Sequence, residues 1–113
     1  MKKMMKNIEP AQILDMEQMV EYRDGQVVSK TLSQNKAVSL TLFAFDKNEE
    51  IGTHASGGDA LVYLLDGEAK ITIEEEEFFL KKGETILMPA GKPHSLWATE
   101  RFKMVLIVVF PEK

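Results

Sequence analysis

The chain has 113 residues, enough for one domain with its own core and too few for two. A hydrophobic share of 44% and a charged share of 28% suit a globular protein, and a net charge of −4 argues against nucleic acid, whose recognition usually shows a basic face. Cysteine is absent, which excludes disulfides and thiol catalysis and fits a reducing cytoplasm.

Met1-Lys2-Lys3-Met4-Met5-Lys6 is basic, but Asn7-Ile8-Glu9-Pro10 follows where a signal peptide would turn apolar. Residues 1–12 read as a loosely held leader. Ile13 to Val20 reads as a short helical turn or an irregular cover, because Leu14, Met16, Met19 and Val20 follow neither period cleanly. Asp24-Gly25 signals a turn. Gln26 to Leu32 then reads as a strand, Ser33 to Lys36 as a turn, and Val38 to Phe45 as a second strand. A polar turn, Asp46 to Glu50, leads to a short strand around His54. The loop Ser56-Gly57-Gly58-Asp59 precedes a strand from Ala60 to Leu65, and Asp66-Gly67 signals a hairpin. Glu68 to Glu74 pairs with Phe78 to Lys81 across the acidic tip Glu74 to Glu77, a run best read as solvated and mutually repelling. Gly83 turns the chain into Thr85-Ile86-Leu87-Met88. The rigid Pro89-Ala90-Gly91-Lys92-Pro93 turn delivers His94 onto the strand Ser95-Leu96-Trp97-Ala98. After a turn at Thr99 to Arg101, Phe102 to Phe110 is the last strand. Met104 to Phe110 is the longest apolar run and is far too short to span a bilayer. Many short strands with Gly, Pro and Asp turns predict an all-β sandwich or small barrel. Residues 26–113 form that barrel domain, and residues 1–25 a leader and covering segment.

The stretch Gly83 to His94 resembles the second motif of the cupin family: Gly, five residues, Pro, any residue, Gly, two residues, His, three residues, Asn. Gly83, Pro89, Gly91 and His94 match in spacing, and Ala98 stands at the Asn. The first cupin motif, Gly, five residues, His-x-His, three or four residues, Glu, six residues, Gly, lies over Asn48 to Gly67. His54 takes the first His and Gly67 the closing Gly. Asn48 stands at the first Gly, Ser56 at the second His and Ala60 at the Glu. The resemblance covers Val38 to Phe110. It implies a double-stranded β-helix, the RmlC-like jelly roll, with a short irregular N-terminal segment.

In a cupin the ligands point into the barrel. Alternation then turns Ala60, Val62 and Leu64 inward with His94, Leu96 and Ala98, while Leu61, Tyr63, Ser95 and Trp97 face the other way. The expected ligand pocket is His54, Ser56, Ala60, Val62, Met88, His94, Leu96 and Ala98. His54 and His94 are also the candidate metal ligands, with Asp59 a possible third although its parity points away, and they are the catalytic candidates as general bases. The bland alternatives are a turn histidine satisfied by hydrogen bonds and a barrel-mouth side chain. A tightly bound divalent transition ion takes three or more protein ligands, so the cofactor expectation is none or a weakly held ion. Trp97 reads as packing or as a stacking group at the pocket mouth, and Met88 and Met104 as core filler.

The last strand is apolar on both faces, so its outer face needs a cover: the N-terminal segment or a second copy of the chain. A homodimer through sheet faces is the expectation. No GxSxG, phosphate loop or CxxC pair is present, which leaves hydrolase, nucleotide and zinc-ribbon readings without support. Three functions remain: small-molecule binding in the barrel without a tightly held metal, which leads; a metal-dependent (nickel, zinc, iron or manganese) oxygenase or isomerase using two histidines; and a non-catalytic interaction module. None calls for nucleic acid or a membrane.

Overall fold

The computed structural model describes residues 4–112. Its strands are β1 Val27–Gln34, β2 Val38–Phe45, β3 Glu50–His54, β4 Asp59–Ile73, β5 Glu76–Lys81, β6 Thr85–Met88, β7 His94–Trp97 and β8 Phe102–Val109, and one 3-10 turn covers Met16–Gln18. All pairings are antiparallel. The hydrogen-bonded order is β1-β2-β8-β4-β7-β3, with β5 and β6 also paired to β4. The sheet curls on itself into the all-β jelly roll, with β4 as its spine. The first half of β4 pairs with β8 and β6, and the second half with β5 and β7.

The length of β4 corrects one expectation. Asp66-Gly67 predicts a hairpin, yet the strand runs straight through it. Gly67 sits at φ +79°, and the register with β8 slips between Leu64 and Asp66. The result is a bulge that lets one strand leave the first sheet and join the second. A side chain here would overlap the Arg101 carbonyl, so the glycine serves a close approach as well as a bend. A dipeptide encodes the local bend; whether the chain then reverses depends on which strands it meets. The acidic tip is also tighter than the sequence suggests. Only Glu74 and Glu75 turn, while Glu76 and Glu77 pair with Ile73 and Thr72. Ala98 lies just past β7, where it exchanges backbone hydrogen bonds with Asn48 and Glu49. Asn48 takes the left-handed conformation expected of it, at φ +70°.

Two hydrophobic clusters lie on opposite faces of the first sheet. The inner one fills the barrel: Phe45, Val62, Leu64, Ile71, Phe102 and Met104 are fully buried in it. Alternation along β4 holds as the sequence predicts, with Ala60, Val62 and Leu64 buried and Leu61 and Tyr63 exposed. The outer cluster joins Leu32, Leu42, Ala44 and Val105 from β1, β2 and β8 to Val20, with Ile8, Met19 and Tyr22 packed alongside. The N-terminal segment thus covers part of the apolar outer face.

That segment is tied down more firmly than a loose leader. The Lys6 amide donates to the Leu32 carbonyl at 2.8 Å, Asn7 Nδ2 to the Thr31 carbonyl at 2.8 Å, and Ser33 Oγ to the Met4 carbonyl at 2.7 Å. These bonds occupy the otherwise unpaired edge of β1. Further along, Lys103 Nζ donates to the Glu17 carbonyl at 2.6 Å and Lys30 Nζ to the Met19 carbonyl at 3.3 Å. Tyr22 donates its hydroxyl to Asp66 at 2.6 Å. Burial, then the Asp66 bond and charge, push the Tyr22 phenol well above its ordinary value. Most of these partners are backbone carbonyls, which carry no sequence signal.

Candidate functional site

Two strands bring the two histidines together. β3 ends on His54, β7 begins on His94, and the two residues are register partners. The rigid turn before His94 is pinned to the loop after His54. The Gly91 amide donates to the Ser56 carbonyl at 2.9 Å and the Ala90 amide to Asp59 Oδ1 at 2.8 Å. The imidazole centroids are 4.4 Å apart and the rings cross at 71°.

Both rings are held in the same way. His54 Nδ1 lies 3.0 Å from the Gly52 carbonyl oxygen and His94 Nδ1 lies 3.1 Å from that of Lys92. A carbonyl only accepts, so each Nδ1 carries the proton. The two Nε2 atoms then face each other at 3.2 Å. Their surroundings differ. His94 is 2% exposed, whereas His54 is open to solvent. Burial, and secondarily the neighbouring His54, hold the His94 imidazole below its ordinary value, while its bond to Lys92 pulls the other way. Near neutral pH His94 is therefore a neutral imidazole with a bare Nε2.

The other expected pocket residues divide. Ala60, Val62, Met88, Leu96 and Ala98 do come together, but as part of the barrel's packed core, each at most 2% exposed. Ser56 turns its polar atoms to the backbone: its Oγ accepts from the Gly58 amide at 3.2 Å. Asp59 Oδ1 accepts from the Ala90 amide. Trp97 lies on the outer face, 39% exposed, with Lys70 Nζ 4.6 Å above its ring. The acidic tip is engaged in exposed ion pairs, Lys92 with Glu74 at 3.4 Å and Lys70 with Glu77 at 3.3 Å. Reading the sequence missed the Gly52 and Lys92 carbonyls that orient the rings. Each lies two residues before its histidine, and backbone acceptors leave no residue-type signal.

A divalent transition ion suits half of this arrangement. Two imidazoles with Nδ1 bound to carbonyls and Nε2 atoms side by side match two neighbouring ligands of one ion, the carbonyls acting as the outer shell. Among the described residues, no three His, Cys, Asp or Glu side chains gather around a common point.

Comparison with known proteins agrees with this architecture. The sequence profile of the cupin domain matches residues 41–110. A crystal structure of a conserved protein of unknown function from Streptococcus pyogenes superposes with a TM-score of 0.96 at 46% identity, over 99% of this chain and 98% of that one. A cupin superfamily protein from Desulfitobacterium hafniense superposes with a TM-score of 0.90 at 32% identity, over 95% and 98% of the two chains. An uncharacterized protein from Aquifex aeolicus is 26% identical over 104 residues, 90% of this chain and 86% of its own length.

Proposed function

The chain belongs to the cupin family, and from that premise we propose that it binds a small polar molecule at the paired imidazoles, without a tightly held metal. The observation that carries this reading is the Nε2 pair. With each Nδ1 bound to a carbonyl, the two Nε2 atoms face each other at 3.2 Å, and a donor placed between them relieves the repulsion of two facing lone pairs. An ammonium group, or two neighbouring hydroxyls, placed at the mouth can donate to both, which suits an amine or a polyol. The reading also leaves a bare, neutral base on His94, suited to taking a proton from whatever is bound. The absence of cysteine supports a cytoplasmic setting.

The Nε2 spacing favours one second reading, a cupin whose two histidines hold a divalent ion only when the bound molecule supplies further donors. Metal content of protein purified without chelator or affinity tag separates the two, measured for wild type, His54→Ala and His94→Ala. The proposal expects substoichiometric metal and melting shifts with polyols or amines that vanish in both variants. Near-stoichiometric metal lost in both variants overturns it in favour of the metal enzyme.

We also propose that the protein is a homodimer through the uncovered part of its outer sheet face. Leu61, Tyr63, Leu87 and Val109 stand exposed there, and Leu61 pairs in register with both Leu87 and Ile107. None of these four side chains is charged, so the patch itself sets no like charges against each other when two copies meet there. Light scattering on Leu61→Asp tests this; a dimer that persists in the variant rules the face out.

A further inference from the structure

A cleft separate from the imidazoles opens where three distant segments meet. Its walls are the β1–β2 turn at Asn35, Lys36 and Ala37, the loop at Gly57, and the tail of the last strand at Phe110, Pro111 and Glu112. Its volume is about 720 Å³, within the range that holds a small molecule. The walls are braced by backbone bonds. The Phe110 amide donates to the Ala37 carbonyl at 3.0 Å, and the Asn35 amide to the Val38 carbonyl at 2.9 Å. Asn35 Oδ1 accepts from the amides of Ala37 and Val38 at 2.7 Å and 3.1 Å.

Those bonds decide what Asn35 has left to offer. Its Oδ1 is used, so what its side chain has left is Nδ2, a donor. Beside it stands Lys36, exposed on the turn. Two donors, one of them cationic, border a floor formed by Phe110, Ala37 and Pro111. Phe110 itself rests against the barrel core. We propose that this cleft binds a small monocarboxylate with an apolar body, the carboxylate on Lys36 and Asn35 and the body over Phe110. Glu112 also lines the cleft, and its charge disfavours a second anionic group, which limits the ligand to one. A Cβ added at Gly57 would meet no atom within 4 Å, so there is free space beside that wall.

The test uses 3-phenylpropionate as probe and 3-phenylpropan-1-ol as its uncharged twin, followed by backbone amide NMR on the full chain. The proposal expects saturable shifts at Ala37, Gly57 and Phe110 with the acid. Binding should weaken about tenfold in Lys36→Gln, the worth of one charge-assisted hydrogen bond. It should vanish in Gly57→Leu, which fills the cleft. Lys36→Gln alters only an exposed turn residue and keeps the test decisive if Gly57→Leu folds poorly. Equal binding of the alcohol, no shift at millimolar acid, or shifts unmoved by Lys36→Gln would overturn it. Shifts at His54 and His94 in place of the cleft would also overturn it while supporting the imidazole site, since neither histidine lines the cleft.

Discussion

The two faces of the first sheet are held together in different ways. The inner cluster is made of strand residues placed by alternation, with Ala98 just past the end of β7. The outer cluster depends on a segment with only one 3-10 turn, Met16–Gln18, fastened by a handful of polar contacts to Lys30, Lys103 and Asp66. A strand in mid-sheet cannot leave without breaking two ladders, whereas a tethered cover can lift while the barrel stays closed. The difference teaches that burial alone does not describe how a residue is held: Val20 is 3% exposed and Leu64 is 0%, yet one sits under a tethered cover and the other in a strand paired on both sides.

The largest effect should come from the inner face. Leu64→Ala leaves a cavity among strands that cannot collapse into it and should cost about 2–5 kcal/mol in denaturant unfolding. Val20→Ala sharpens the contrast. It should cost about 1–2 kcal/mol, from two lost methyl groups and a cover free to resettle, and hydrogen exchange should speed up mainly before β1. If the exchange of β4 and β8 accelerates equally, the two faces form one cooperative unit and the contrast fails. Tyr22→Phe removes the bond to Asp66 and should cost about 1 kcal/mol, again read mainly in the cover.

The smallest effect is a slope with pH. His94 takes up a proton less readily when folded than its ordinary value of 6.5, because of burial first and His54 second. The unfolded chain therefore binds that proton at a higher pH than the folded one. Stability is fully present above about 6.5 and declines as pH falls from there towards the folded value. Melting curves of wild type and His94→Gln across this range should differ in slope, with the flatter curve in the variant. Equal slopes would mean that some other group carries the acid sensitivity.

Much of the barrel was legible from residue types. The span Val38–Phe45 for β2, the left-handed Asn48, the inward triad Ala60, Val62 and Leu64, and the alternation of His94 and Leu96 against Ser95 and Trp97 all follow from local conformation and a period of two. The misreadings are of one kind. Asp66-Gly67 looked like a reversal because the dipeptide favours one, and the leader looked loose because its partners are carbonyls of β1. The ring-orienting carbonyls of Gly52 and Lys92 escaped for the same reason. The cleft escaped because Lys36, Gly57 and Phe110 share no motif and no spacing.

The sequence by itself determined which residues bend, which alternate, and that a histidine would arrive at the end of a proline–glycine turn. Those are properties of a few consecutive residues, set by backbone sterics and side-chain direction. Tertiary structure alone decided that β4 passes between sheets at Gly67, that Nε2 of His94 meets Nε2 of His54 at 3.2 Å, and that the N-terminal segment lies on Val105 and Leu42. Each of these depends on the register between strands far apart in the chain. Register is a collective result of packing, because shifting one strand by one residue would turn every buried side chain on it to the wrong face.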